Sequence, residues 1–247
     1  MLAKRIIPVL LCRGRTLVKG KQFNAWRSVG VALQSARVHA MRGVDELCIL
    51  DIGASMEKRG PDLSLIEELG KALFTPLAVG GGVMTVDDAN ALLRAGADKV
   101  VVGAGGPAVI KQISKALGCQ AVVASIDVMD NRARILRGGI VCGTTALQRA
   151  LECQDAGCGE ILLTDMDREG MMQGYNLELI EKISRAVNVP VIAHAGAGTY
   201  QHMLEAIKAG ASAVAAGSMF QFTDQTPAGA AEYLKQHGVE VRIASVS

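Results

Sequence analysis

Residues 76–82 read PLAVGGG, and residues 190–196 read PVIAHAG. The first stretch runs on into AGADKVVVGAG at 95–105, and the second into AGASAVAAGS at 209–218. Pro76 maps onto Pro190, Gly82 onto Gly196, Gly96 onto Gly210 and Gly103 onto Gly217, each 114 residues later without a gap. The same offset carries Gly43 to Gly157, Glu46 to Glu160 and Asp51 to Asp165, so the repeated unit reaches back through a further strand. One half of the chain is a copy of the other.

Each half alternates short runs of Val, Ile and Leu, ending in Gly or Asp, with helical stretches such as Val86–Ala95 and residues 201–209. Continuous apolar strands separated by helices imply a parallel sheet buried on both faces. The expected strands are 5–11, 46–52, 77–79, 99–102, 121–127, 160–165, 191–194 and 213–216. That makes four strand–helix pairs per half. An open doubly wound sheet is the rival arrangement, but two in-register halves are better satisfied by closing on each other. The expected fold is therefore α/β, a (β/α)8 TIM barrel of two duplicated half-barrels, and 247 residues form a single domain of the usual size. Residues 13–27 form a long βα loop before a first helix over 29–42, and long loops in compact domains tend to be lids.

Composition narrows the class. Half the residues are hydrophobic, yet no run reaches the roughly 18 apolar residues of a membrane span, and residues 1–15 read as a first strand rather than a signal peptide. A cytoplasmic protein is expected. With 26 basic against 24 acidic residues, nothing favours nucleic acid. Cys12, Cys48, Cys119, Cys142, Cys153 and Cys158 form no CxxC pair, so reduced thiols are expected, with neither metal nor cofactor.

In such a barrel the chemistry lies at the C-terminal ends of the strands. The residues there are Leu11, Asp51, Gly80, Gly81, Gly82, Gly103, Asp127, Asp165, His194, Ala195, Gly196, Gly217 and Ser218. The pairs Gly82/Gly103 and Gly196/Gly217 stand half a barrel apart. Glycine lets backbone N–H groups approach an anion, and a following helix adds its positive end. Tight βα turns explain any one of these glycines equally well; it is their duplication that points to two phosphate sites and a ligand with two phosphates. Asp51 can hold ribose hydroxyls or move a proton, and Asp165 is its copy. Asp127 is the foremost acid–base candidate, because burial at the end of an apolar strand raises a carboxyl pKa. His194 should point at the site. His39, His202 and His237 fall on helix surfaces or ends and are expected to be solvated. Lys19, in the long loop, either closes over an anionic ligand or is an ordinary solvated lysine. Asp167 and Arg168 are expected to pair with each other on the rim, and residues 131–139, NRARILRGG, to form a basic, hairpin-like insertion.

KRIIPVL, LVKG, DELCILDI, PLAVGGG with LLRAGADKV, GEILLTDMDREG, GYNLELI, NVPVIA with GAG, and AAGSMFQF together resemble the cyclase subunit of imidazole glycerol phosphate synthase over nearly the whole chain. The resemblance implies a barrel that receives ammonia from a glutaminase subunit docked on its N-terminal end. At the other end ammonia joins a bisphosphorylated ribulosyl aminoimidazole carboxamide nucleotide, giving imidazole glycerol phosphate. It also implies a charged gate at Arg5, Glu46, Lys99 and Glu160, an interface residue at Asp98, a loop lysine at Lys19, the phosphate sites already described, and an acid–base carboxylate at Asp127. A plain salt-bridge plug is the other reading of the four charges.

The sequence departs from that pattern at several points. Leu11 stands where the family's strand-one aspartate would fall. Gly103 replaces an asparagine, His194 and Ala195 replace Ser-Gly, and Met171 follows DREG. IPVLL together with AAGSMF resembles a paralogous branch that supplies ammonia to a separate enzyme building acetamidino groups on surface-polysaccharide sugars. The first expectation is accordingly an ammonia conduit with a glutaminase partner, a phosphorylated ligand and a sugar-amidating enzyme. A working cyclase of histidine biosynthesis, a sugar-phosphate isomerase and a non-catalytic scaffold are the alternatives.

Overall fold

The computed structural model describes residues 3–134 and 141–242, and of Val141 and Cys142 the backbone alone. Eight parallel strands close into a barrel: β1 (Arg5–Arg13), β2 (Leu47–Asp51), β3 (Leu77–Gly80), β4 (Lys99–Val102), β5 (Val122–Met129), β6 (Glu160–Asp165), β7 (Val191–His194) and β8 (Ala213–Ala216). Each pairs with the next, and β8 pairs with β1, where Arg5 lies opposite Ala213 and Pro8 opposite Ala216. A closed parallel sheet has no open edge and is buried on both faces, as the near-continuous apolar strands require. Side chains alternate accordingly. Ile6 and Leu10 of β1 join the layer under the helices, while Ile7, Val9 and Leu11 fill the lumen with Cys48, Val101, Val123 and Leu162.

The helices repeat the 114-residue offset. Helices α1 (Ala32–Met41), α2 (Leu63–Ala72) and α3 (Val86–Ala95) have counterparts in α5 (Ala146–Asp155), α6 (Leu177–Ala186) and α7 (Tyr200–Lys208), with α4 (Gly106–Leu117) between the sets. Their caps repeat as well. Asp62 and Asn176 accept from the N–H groups of Leu65 and Leu179, and Thr85 and Thr199 from those of Asp88 and His202. Each satisfies an N–H that the first helical turn cannot, a contribution of about 1 kcal/mol. The halves diverge at the end, where a short α8 (Ser218–Phe222) precedes α9 (Pro227–Gln236).

Two expectations need correction, on the long loop and on His39. The long loop is a β-hairpin, Thr16–Lys21 against Asn24–Val31, turning at Gln22 and Phe23, both with positive φ. Residues 29–31 therefore belong to its second strand, and α1 starts at Ala32. The tract 131–139 does turn back as a hairpin, Arg132–Arg134 pairing antiparallel with β5; its residues 135–139 lie outside the described residues, as do residues 243–247 of the C-terminal tail. His39 is buried rather than solvated: its ring sits 6.4 Å from that of Phe220, and burial pushes its pKa down to about 4.

Candidate active site

The two ends of the barrel carry different chemistry. At the N-terminal end, Arg5, Glu46, Lys99 and Glu160 form a closed ring of alternating charge. Arg5 bonds Glu46 at 2.6 Å and Glu160 at 2.8 Å, and Lys99 bonds Glu46 at 2.8 Å and Glu160 at 3.2 Å. Above the ring the lumen is apolar. Around this end, Asp98 accepts from the N–H of Leu77 at 2.8 Å and lines a groove of about 230 Å³ beside Phe74, whose ring is fully exposed.

At the C-terminal end a cavity of about 430 Å³ opens between the strands. Gly81, Gly82 and Gly103 line one side, Asp51 and the hairpin's Phe23 and Trp26 another, and Asp127, Thr164 and His194 a third. Gly81 and Gly82 adopt φ of +123° and +72°, and a Cβ at Gly82 would strike the carbonyl of Arg59, so both need glycine for packing alone. Gly103 has room for a side chain, its nearest neighbour being Ser125 at 3.6 Å. The N-terminus of α3 is closed by its own capping box, whereas α4, capped by Gly105, has no side chain on its first N–H groups. Of the helix ends that follow these two glycine sets, that of α4 has backbone N–H groups without a side-chain cap, and that of the helix directly after PLAVGGG does not.

Half a barrel away, Lys19 reaches from the hairpin into a space of about 20 Å³, enough for about one water. Gly196, Gly217, Ser218, His194 and Glu169 line it. The Lys19 amine abuts Gly217, where any Cβ would collide with it, and a Cβ at Gly196 would strike the carbonyl of Gly174. Lys19 is 3% exposed. Burial lowers its pKa to about 8 against the opposing pull of Glu169. The solvated-lysine reading is thus excluded: Lys19 is a buried cation between the two glycines proposed for an anion. The hairpin is held there by Gln22, whose backbone N–H reaches the carbonyl of Glu169 at 2.9 Å.

Asp127 is partly open to the cavity, and desolvation raises its pKa to about 7, with a hydrogen bond from Thr164 pulling the other way. Asp51 also borders the cavity, but its carboxylate is bound by Arg59 at 2.8 Å and by the N–H groups of Gly14, Gly53 and Ala54. Asp165 lines neither cavity. It accepts from the side chain of Asn176 at 2.7 Å and the N–H of Asp167 at 2.9 Å, holding the loop after β6. Its other neighbour is Arg168 at 3.9 Å, so Arg168 meets Asp165 rather than Asp167. Leu11 is buried in the lumen at the mouth, directly opposite Leu50 on β2.

The family model described as "Histidine biosynthesis protein" matches residues 5–226. Curated relatives named imidazole glycerol phosphate synthase subunit HisF align over 98% of this chain. That of Exiguobacterium sibiricum is 40% identical and that of Dictyoglomus thermophilum 41%, each covered over its full length. That of Thermococcus gammatolerans is 38% identical and covered over 99%. The chain belongs to the imidazole glycerol phosphate synthase cyclase-subunit family. In this chain Arg5, Glu46, Lys99 and Glu160 form the ring and Asp127 lies on β5, while Leu11 occupies the matching place on β1. Sequence reading passed over Thr164 and Glu169. Thr164 precedes Asp165 in LLTD, and strand alternation turns it inward when Asp165 turns out. Glu169 had no signal, because its place beside Lys19 in the small cavity depends on the hairpin. Among the described residues, no helix is long and apolar enough to cross a membrane.

Proposed function

We propose that this chain is the barrel subunit of a glutamine amidotransferase, taking ammonia from a glutaminase docked at its N-terminal end and using it on a bisphosphorylated ligand at the C-terminal mouth. The observation that carries this reading is the pairing of a charged ring with an apolar lumen and a buried, proton-holding carboxyl at the far end. As a stabilising device a partly buried ion network roughly breaks even with apolar packing. As a gate, alternating charges exclude water and ions, and the apolar lumen beyond suits a small neutral molecule. The exposed Phe74 and the groove beside Asp98 offer the glutaminase an apolar contact around the gate.

The names of the relatives favour the cyclase of histidine biosynthesis as the reaction at the mouth, and none of them supports sugar amidation. On the side of a conduit stand the departures at Gly103, His194, Ala195 and Met171 and above all Leu11, since leucine can neither give nor take a proton. Ammonia-dependent turnover of the ribulosyl aminoimidazole carboxamide nucleotide decides between the two. Turnover by the wild-type chain is expected. Its absence, together with stimulation of a glutaminase by the barrel, would leave the conduit reading. If neither turnover nor glutaminase binding is found, both fail.

A further inference from the structure

Asp127, Thr164 and His194 stand on neighbouring strands at one level of the barrel wall. Thr164 is the register partner of Asp127 on one side and of His194 on the other, so all three point into the mouth. The Thr164 hydroxyl lies 3.1 Å from His194 Nδ1 and, as the register partner of Asp127, stands beside its carboxylate. A hydroxyl has one proton to give and lone pairs to accept with. When Thr164 donates to an ionised Asp127, it accepts from Nδ1–H of His194. When Asp127 carries a proton, the carboxyl can donate to Thr164 and Thr164 to Nδ1, and the histidine proton then sits on Nε2. A chain closed through Thr164 has two such states, differing in which histidine nitrogen carries the proton.

His194 borders both cavities. It shares the large one with Asp127 and the small one with Lys19, Gly196 and Gly217. We propose that Asp127, Thr164 and His194 form a proton relay, in which a proton taken from the bound ligand at His194 Nε2 comes to rest on the Asp127 carboxyl, making His194 the second acid–base group of the mouth. The purpose of that proton rests on the amidotransferase reading above; the relay itself does not. In the step the Nε2 lone pair takes the ligand proton, Nδ1–H passes to Thr164 Oγ1, and the proton of Thr164 passes to the carboxylate. One proton enters, a neutral imidazole, a hydroxyl and a neutral carboxyl result, and the reverse sequence returns the proton at Nε2.

The surroundings favour that direction. Facing His194 are Lys19 from the hairpin and Glu169 from the loop after β6; Arg134 is the register partner of Asp127 on the strand paired with β5, and Arg13 and Asp51 line the same cavity. Burial, aided by Lys19, pushes the His194 pKa down to about 3, so an imidazolium is a poor resting place. Asp127, raised to about 7, holds the proton readily near neutrality.

Nitrogen-15 NMR of the histidine rings tests the relay without turnover. The chain has only four histidines, and His194→Gln identifies the signal of interest. His194 should remain neutral throughout, yet change from the Nε2–H tautomer at about pH 5 to Nδ1–H at about pH 9, with its midpoint at the Asp127 titration. In Thr164→Val the change should vanish while Asp127 still titrates. A His194 of one tautomer at both pH values overturns the proposal, as does a change that survives in Thr164→Val. In the turnover assay, His194→Gln and Thr164→Val should each lower the rate about 10²-fold or more. A tautomer change without wild-type turnover would fail the proposed reaction and leave the relay standing. Turnover without the change would fail the relay alone.

Discussion

The two halves of the barrel place different chemistry on the same rung. Around the mouth, the first half presents Leu11, Leu50, Gly80 and Val101 in unbroken register, and the second presents Asp127, Thr164, His194 and Ala215. Leu50 and Thr164 are 114 residues apart, so their partners Leu11 and Asp127 occupy equivalent places on β1 and β5. At the other end the balance is reversed, because β1, β2 and β4 supply Arg5, Glu46 and Lys99 to the ring, while the second half supplies Glu160 alone. What the halves share is what holds the scaffold: the outward apolar rows, the helix lengths and the capping residues. Residues on the inner rungs at either end take little part in packing strand against helix, so they can diverge without disturbing the fold. The duplication therefore specifies a barrel, and the departures from it specify what the barrel does.

The sharpest way to break this comparison is to alter equivalent residues on the two halves. Asp127→Asn should lower ammonia-dependent turnover by about 10²- to 10⁴-fold, the usual effect of losing a positioned acid–base group. Leu11→Met, a volume-conserving change at the matching place, should lower it by less than about tenfold. Steady-state rates at saturating ammonia measure both, and equal losses would show that the halves contribute alike.

The same carboxyl makes the second half sensitive to pH. Burial raises Asp127 from 3.8 to about 7, so the folded chain holds this proton more tightly than the unfolded one. That contribution is fully present below about pH 4 and is lost as pH rises through about 7. Asp127→Asn should therefore match the wild type at low pH and exceed it in stability above neutrality. At 1.36 kcal/mol per pKa unit the gain is at most about 4 kcal/mol, and solvent in the cavity lowers it. Urea denaturation of the two proteins across this range checks the sign as well as the size.

Most of the scaffold is legible in the sequence because the duplication is ungapped. Glycines, prolines and apolar runs recur at one offset, and each copy tests the reading of the other. The hairpin is not legible, since its strands share no recurring glycine, proline or apolar run with the Arg132–Arg134 and Val141–Thr145 pair that follows β5, and it turns at Gln22–Phe23 rather than at the Asn-Gly or Gly-containing pairs that signal such turns. Missing it also hid the burial of Lys19, which the hairpin alone delivers to Gly217. Asp165 shows the opposite failure. Its match to Asp51 suggested a site residue, but the loops after the two strands differ, and Asp165 is drawn to Asn176 and the N–H of Asp167 while Asp51 stays at the cavity rim.

Glu46 and Glu160 offer the finest form of the comparison, because they are the one duplicated pair among the four ring charges. Their surroundings differ. Glu46 is 4% exposed at its side chain, and one oxygen, Oε2, takes both Arg5 at 2.6 Å and Lys99 at 2.8 Å. Glu160 is 16% exposed and uses both oxygens, Oε1 accepting from Arg5 at 2.8 Å and Oε2 from Lys99 at 3.2 Å and from Arg5 at 3.3 Å. Replacing either by glutamine leaves the ring with two positive charges and one negative. For Glu46 the unbalanced charge is the more deeply buried, where solvent can compensate it least. Breaking a fully buried pair costs about 3–5 kcal/mol and an exposed one about 0–1, and the ring lies between these limits. Glu46→Gln should destabilise by about 2 kcal/mol and Glu160→Gln by about 1 kcal/mol on that scale. Urea midpoints at constant slope would measure the difference, and raised salt should shrink the Glu160 effect more than the Glu46 effect. Equal costs with equal salt dependence would mean that the halves are interchangeable at the gate, and that their divergence is confined to the mouth.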